Sequence, residues 1–394
     1  MDARLTTEQQ RIQETTRDFI ESEGGIELAR DYIDGDESVL EDLWDEFSSL
    51  DYTAITTPLE YGGFGEGMVY LSALLEEIGR YALPGPFLET VATAVPLITE
   101  LGSEEQKDEY LEAIADGDLK FSFAVYDDRN ETVPKAIDMS ATRVDDGYRL
   151  SGTKTLVPYA GDVDRVIVAA RTQGESGYHG ISLFIVDPDD VAVEKLESLD
   201  WTRPLYDMEF DGVEVPESAR LGPVHGGGDA LSRALDRYNV GFAAMLVGAA
   251  DRAVDLSVEY GKERHQYGQP IGRFQAVKHR IVRMEMDKEH ARSITYYAAW
   301  ALDNETEDAG QAVAMTKAYA GDRLHEVFAN DVKNHGGMGF TWDHDAHIYL
   351  KQAKTWQSYL GAPGQAYDRV ADIRDYSNKT LPDYPEITTA PYQG

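Results

Sequence analysis

The sequence predicts a mostly α-helical protein with a central β domain: an N-terminal helical domain, a small antiparallel β-barrel or sandwich, and a C-terminal four-helix bundle. Three observations lead there. Apolar residues recur at helical spacing from Leu5 to about Gly117. Between about Leu119 and Leu221 the pattern shortens into alternating or wholly apolar runs separated by Gly and Asp. After GPVHGGGD, long helical periods return.

The first domain is placed at 1–118, its helical pattern interrupted by EYGGFGEG at 60–67 and LPGP at 83–86, both turn-forming compositions. The β domain is placed at 119–225, with FSFAVY, TRVDDGYRLSGTKTLV, RVIVAAR and ISLFIV as its strands. The bundle is placed at 226–378, with long helices expected over 230–264, 274–304, 307–334 and 343–374. Residues 379–394, rich in proline, read as an extended tail. At 394 residues and 42% hydrophobic content the chain can fill more than one core, so this division into domains is expected on size alone.

Charge narrows the partners. With 72 acidic against 36 basic residues the net charge is -36, which disfavours nucleic acid and anionic membrane surfaces. The basic residues are 23 Arg and only 13 Lys, and this acid-rich, Lys-poor balance suits a surface that stays hydrated in concentrated salt, as in a halophile's cytoplasm. The absence of cysteine excludes disulfides, thiolate metal sites and a cysteine nucleophile. The charged, helical start MDARLTTEQQRIQETTRDF lacks the apolar core of a signal peptide, and no run approaches the ~18 apolar residues of a membrane span. A soluble, cytoplasmic protein is expected.

Within the bundle, EYGKERHQYGQPIGRFQAVKHRIVRM carries a helix ending in Glu-Arg-x-x-aromatic-Gly, followed by Pro-Ile and Phe-Gln before the next helix. NHGGMGFTWDHDAHIYLKQAK carries a Gly-Gly-x-Gly-Phe turn, PLEYGGFG lies at 58–65, and YRLSGTKTLVPYAGDVDRVIVAAR lies in the β domain. On these segments, which span nearly the whole chain, the sequence resembles the acyl-CoA dehydrogenase family. The resemblance implies α,β-dehydrogenation of an acyl-CoA thioester: a carboxylate removes the α proton while the β hydrogen leaves as hydride to the flavin of FAD. It further implies an FAD shared across a subunit interface and electron-transferring flavoprotein as acceptor.

The part of the site that reaches a neighbour's flavin matches the family well. By resemblance Arg264 pairs with the pyrophosphate, a task suited to a permanently charged guanidinium fork. Gln266, Tyr267, Ile271 and Gln275 line the same path, and Lys333, His335, Gly336 and Gly337 form the turn that approaches the dinucleotide, where a side chain on either glycine would obstruct it. Read singly, Arg264 is equally a helix-end salt bridge and the glycines a helix C-cap; their joint match carries the cofactor assignment.

The part that would hold the chain's own flavin departs from the family. Where members carry Thr-Glu-Pro and Gly-Ser-Asp, this chain has FSFAVYDDRNETVPKAIDMS. The Trp-x-Thr or Trp-x-Ser beside the ring aligns with Leu156, Val157 and Pro158, and proline has no amide to donate. The C-terminal Thr-x-Gln aligns with Ala362, Pro363 and Gly364. The catalytic Glu has two family positions, and these align with Leu360 and Tyr238. Leucine has no lone pair, and a tyrosine of ordinary pKa is rarely ionised at neutral pH. Asp236, two residues from Tyr238 and so turned about 200° around a helix, is the remaining carboxylate candidate should the helix start shift.

Together these features suggest the base-less subunit of an α2β2 heteromer, resembling the steroid and branched side-chain members, with a paralogous subunit supplying the Glu. Alternatives are a self-sufficient homotetrameric dehydrogenase with a displaced carboxylate, a flavin monooxygenase or oxidase on the same fold, and a purely structural partner. Three further signals carry less. His344, Asp345 and His347, with His335, hold ligand types for a divalent metal but belong to the family turn. HGGG at 225–228 resembles an oxyanion loop, yet no Gly-x-Ser-x-Gly follows, and a flexible entrance to the bundle is expected instead. Tyr296, Tyr297 and Trp300 read as core or interface packing.

Overall fold

The computed structural model describes residues 5–127, 133–174 and 177–376; the expected tail and residues 128–132 of the departing flavin segment lie outside it. The N-terminal region holds α1 (Thr7–Glu23), α2 (Ile26–Ile33), α3 (Ser38–Ser49), α4 (Met68–Arg80), α5 (Phe87–Glu89), α6 (Val95–Leu101) and α7 (Glu104–Ala115), with a π-helical turn, Thr90–Ala94, joining α5 to α6. Capping boxes start two of these helices. Thr6 and Gln9 exchange hydrogen bonds at α1, and Ser103 and Gln106 do so at α7. Gln106 also donates to the carbonyls of Ser218 and Arg220, which fastens α7 to the β domain.

The β domain comprises β1 (Phe121–Ala124), β2 (Ser140–Val144), β3 (Gly147–Pro158), β4 (Arg165–Arg171), β5 (Ile181–Val186), β6 (Ala192–Lys195), β7 (Leu205–Pro216) and β8 (Arg220–Leu221). Among the described residues they form one sheet in the order β6-β7-β3-β2-β4-β5-β8, with β1 added on β4. The expected antiparallel arrangement needs correction at β4, because both β1 and β2 run parallel to it. The β2–β3 hairpin intervenes and returns the chain in its original direction. β4 and β5 are apolar and buried almost throughout, as strands covered on both faces must be.

The C-terminal region begins with α8 (Gly228–Glu263), a 36-residue helix, followed by the short hairpin β9 (His265–Gln266) and β10 (Gln269–Pro270). Then come α9 (Gln275–Asp303), α10 (Ala309–His335), α11 (Ala346–Ser358) and α12 (Pro363–Ile373). The fourth long helix expected over 343–374 is therefore two helices at an angle. Leu360 (φ 54) and Gly361 (φ 106) adopt left-handed backbone, and Pro363 opens α12 with no amide to continue the ladder.

Two features lock the N-terminal helices to the bundle. α4 crosses α8 at glycines: a Cβ on Gly79 would meet the Met245 carbonyl, and one on Gly248 would meet the Glu76 carbonyl. The carboxylate of Asp303 caps α4, accepting from the amides of Met68 at 2.6 Å and Val69 at 2.9 Å.

The HGGG entrance is pinned rather than flexible. The His225 amide donates to Ser182 Oγ, its ring Nδ1 lies 2.8 Å from Thr172 Oγ1, and the Gly227 amide donates to the Ile181 carbonyl. Tyr296 is buried with its hydroxyl donating to Glu76, whereas Tyr297 and Trp300 stack half-buried beside it.

Candidate functional site

The break between α11 and α12 places Leu360 on a cavity of about 670 Å³. Its walls come from the β-domain segment Val133–Lys135, from Asp236 and Asn239 of α8, Lys317 of α10, and Arg369 of α12. The backbone of Leu360 and Gly361 also faces Tyr126, whose hydroxyl pKa burial pushes up to about 12. Tyr126 packs on Tyr359 with ring centroids 5.8 Å apart and planes tilted by 49°.

Tyr238 points away from that cavity. It is fully buried, with Phe123 at 5.0 Å, Tyr359 at 6.0 Å and Phe242 at 6.1 Å around its ring. Its hydroxyl receives a hydrogen bond of 2.5 Å from Arg203, and Arg203 forms an ion pair with Glu89. The guanidinium also lies over the rings of Tyr159, Tyr238 and Phe242, at 4.9 to 5.5 Å. Burial raises the Tyr238 pKa, so this hydroxyl stays protonated at neutral pH.

Asp236 turns to the opposite side of α8 from Tyr238, as helix geometry requires, and it does line the cavity with Leu360. Both of its oxygens are held by Arg369, at 2.6 and 2.7 Å. Lys317 is buried without a carboxylate partner: its ammonium donates to the carbonyls of Trp356 and Tyr359, both at 2.6 Å, and sits 4.1 Å from the Trp356 ring. Burial lowers its pKa well below the usual lysine value. Lys317 thus closes the end of α11 and fixes the turn that carries position 360.

On the side where a resident flavin ring would lie, Leu156 has φ 55, Val157 is buried and Pro158 ends β3 without a donor. The Pro158 carbonyl accepts from Ser122 Oγ. Ala362, Pro363 and Gly364 begin α12, where the Ala362 amide is taken by Gln365. Ser122 and Gln365 thus occupy the Pro158 carbonyl and the Ala362 amide.

The residues predicted to reach a neighbour's cofactor gather at one end of the bundle. Arg264 closes α8, its carbonyl accepting from the Ile271 amide; Gln266 and Tyr267 lie on the β9–β10 hairpin, and Gln275 starts α9. Arg280 of α9 donates to Asn334 and Tyr260 of α8 packs on His335 at 4.7 Å, which brings the α10 terminus to the same place. Arg264, Gln266, Gln275 and Lys333 are exposed, and Tyr267 is 92% exposed. Gly336 (φ 63) requires glycine for its backbone, but Gly337 has ordinary helical dihedrals and open space where a Cβ would stand. Nothing within this chain demands glycine there, so the cradle fits an approaching dinucleotide.

His335 belongs to the turn through its backbone, not its side chain. Its ring is turned inward, with Nδ1 2.9 Å from the Asp331 carbonyl and the ring 4.1 Å from that of His344. Burial acts to lower its pKa, but the Asp331 contacts outweigh this and raise it. It supports the turn from below. Among the described residues no group of three His, Asp or Glu is placed to hold a metal ion.

Sequence reasoning missed Glu89, Arg203, Lys317 and Arg369. A signal existed for the first: Glu89 is the lone charge in PFLETVATAVPL, and a single acid in an apolar helical run calls for an internal partner.

The fold, a β domain between two helical regions, is that of a flavin-dependent oxidoreductase. The family model for the acyl-CoA dehydrogenase N-terminal domain matches residues 6–118, and that for the acyl-CoA dehydrogenase C-terminal domain matches residues 225–372. An acyl-CoA dehydrogenase of Bacillus subtilis (strain 168) is 30% identical over 366 residues, covering 91% of this chain and 95% of its own. The caffeyl-CoA reductase-Etf complex subunit CarC of Acetobacterium woodii is 29% identical over 357 residues, 89% of this chain and 93% of its own. Among solved structures, butyryl-CoA dehydrogenase from Megasphaera elsdenii superposes with a TM-score of 0.86 at 27% identity, over 94% of this chain and 99% of that one. The chain belongs to the acyl-CoA dehydrogenase family, whose members are FAD-dependent oxidoreductases acting on the CH–CH bond of acyl-CoA thioesters.

Proposed function

We propose that this chain is the base-less subunit of an α2β2 acyl-CoA dehydrogenase, in which a paralogous subunit supplies the catalytic Glu and this chain completes that partner's FAD site. One observation carries the reading: Leu360 and Tyr238 hold the two family positions of the base, and neither can accept a carbon-bound proton. The contrast between the two cofactor halves supports it. Arg264, Gln266, Tyr267, Gln275, Lys333 and the Gly336–Gly337 turn face outward, while Pro158 has no amide to offer a resident ring and the Ala362 amide is already taken by Gln365. Val282 and Met286 of α9, with Met338 and Phe340 of the turn, expose large apolar side chains at the same end, as expected of a surface that another subunit covers.

FAD would supply hydride acceptance, and this chain's part would be to bind its pyrophosphate through Arg264 and to admit its approach at Gly337. Electron-transferring flavoprotein is the acceptor the reading implies, and the relative from an Etf complex is consistent with it. No helix among the described residues is long and apolar enough to cross a membrane, and the charge balance suits a halophile's cytoplasm.

The test is expression alone and together with a family paralogue that carries Glu at either base position. Stoichiometric flavin bound by this chain as a homotetramer, with turnover of acyl-CoA, would sink the proposal. A second reading rests on Asp236, a carboxylate lining the cavity beside Leu360. Its pairing with Arg369 opposes a role as base, and loss of activity in Asp236→Asn of an active isolated chain would restore it.

A further inference from the structure

We infer that Glu89 and Arg203 form a built-in plug of the acyl channel, a pair of specificity-determining residues that keeps an acyl chain out of this subunit. The inference rests on the proposed base-less role and says how the substrate is excluded. A base at either family position must reach the same α carbon, so a thioester's acyl chain has to pass between positions 238 and 360. In this chain that space is solid. Tyr238 packs against Tyr359 and Phe123, Phe242 stacks on Trp356 at 5.9 Å, and Arg203 stands behind them against Glu89. On the side of this packing formed by Arg203 and Phe242, a cavity of about 10 Å³ remains. It holds one water at most.

The walls of that remnant identify what it replaces. Leu83, Phe242, Met245 and Leu246 make one side apolar, and Arg203 closes the other together with Tyr159, Asp200, Thr202 and Gln352. An apolar channel blocked by a guanidinium is an unusual use of a charge. Buried ion pairs give up much of their attraction to desolvation, and well-packed apolar residues of the same volume are often as stable or more so. Stability alone therefore does not account for the pair. Exclusion does: an alkyl chain entering here would have to lift Arg203 from Glu89 and from three aromatic rings, leaving a buried carboxylate without a partner.

The experiment is calorimetric titration of the full chain with CoA, acetyl-CoA, butyryl-CoA and octanoyl-CoA. In the wild-type chain the affinities should agree within about twofold across the series, because no methylene is buried. The double variant Glu89→Ala/Arg203→Ala removes both charges together and opens the channel, so affinity should climb about fourfold for each added methylene until the channel is full. Glu89→Gln/Arg203→Met retains the volume and should behave as wild type. If the alanine pair does not fold, Glu89→Leu/Arg203→Ala opens only the guanidinium's volume and is read the same way. Affinity rising with acyl length in the wild-type chain, or a folded, opened variant indifferent to length, overturns the plug. Turnover by the isolated wild-type chain would instead sink the base-less reading, and the length series needs no turnover to be read.

Discussion

Arg369 grips both carboxylate oxygens of Asp236, at 2.6 and 2.7 Å, across the cavity onto which Leu360 opens. The pair ties α12 to α8 directly beside Leu360, which by motif resemblance stands at a family base position. A carboxylate gripped at both oxygens has one lone pair of each committed to the guanidinium, which opposes a role as base.

Asp236→Asn should therefore reduce stability modestly, by about 1 kcal/mol, since the Arg369 side chain is partly solvated. Turnover of the assembled heteromer should stay within about twofold of wild type. Urea denaturation and steady-state assays measure the two effects separately, and a drop in kcat by orders of magnitude would assign Asp236 to the chemistry.

Lys317→Met should be far more damaging. It strips the donors from two buried carbonyls at the end of α11 and loosens the turn at 359–362, for a loss of about 2–4 kcal/mol. The lysine's lowered pKa adds a pH signature. Over the interval between its folded and unfolded values the unfolded chain binds more protons, so stability rises with pH there, and the variant should lack that rise. Chemical melts from pH 7 to 9.5 report it.

Asp200 behaves oppositely. Burial pushes its carboxyl up to about 6, despite hydrogen bonds from the Thr202 amide and hydroxyl. A raised carboxylate pKa contributes stability that is complete near pH 3.8 and lost as pH climbs through 6, worth about 3 kcal/mol in all. Asp200→Asn should flatten that decline, which urea melts at pH 4.5 and 7 would show.

Gly337 separates folding from cofactor binding. With helical dihedrals and empty space around it, Gly337→Val should leave the melting temperature of the isolated chain within a few degrees of wild type. In the assembled protein the added side chain would stand in the dinucleotide's path, so flavin content after gel filtration should fall at least tenfold. Retained flavin would remove the turn from the site.

A charge of -36 predicts salt dependence. Raising KCl from about 0.1 M to 2 M shortens the Debye length from roughly 10 Å to a few ångströms and relieves self-repulsion. The melting temperature should rise by roughly 10 °C or more over that range in a thermal scan.

Much of the architecture was legible because it is written in local periodicity: the switch from helical to short apolar runs near Leu119 and back after Gly228 needs no long-range information. The break at Leu360 was written too, in YLGAPG, but a helical period persisting on both sides masked it. The parallel course of β1 could not be read, since it depends on how a hairpin folds back. The side chains around position 238 were out of reach for the same reason. Glu89, Arg203 and Tyr238 lie on three different elements, and only tertiary packing brings a glutamate in one helical region to an arginine in a sheet loop.

The glycine crossing of α4 and α8 has a mechanical corollary. Two helices in backbone contact at Gly79 and Gly248 cannot slide or rotate past one another without steric collision, so the first domain cannot swing open as a lid. Entry to the cavity beside Leu360 depends instead on its own walls, where Val133 to Lys135 of the β domain and α12 both line it. A cross-link between that segment and α12 should stop exchange of the cavity's contents, whereas one between α4 and α8 should change nothing.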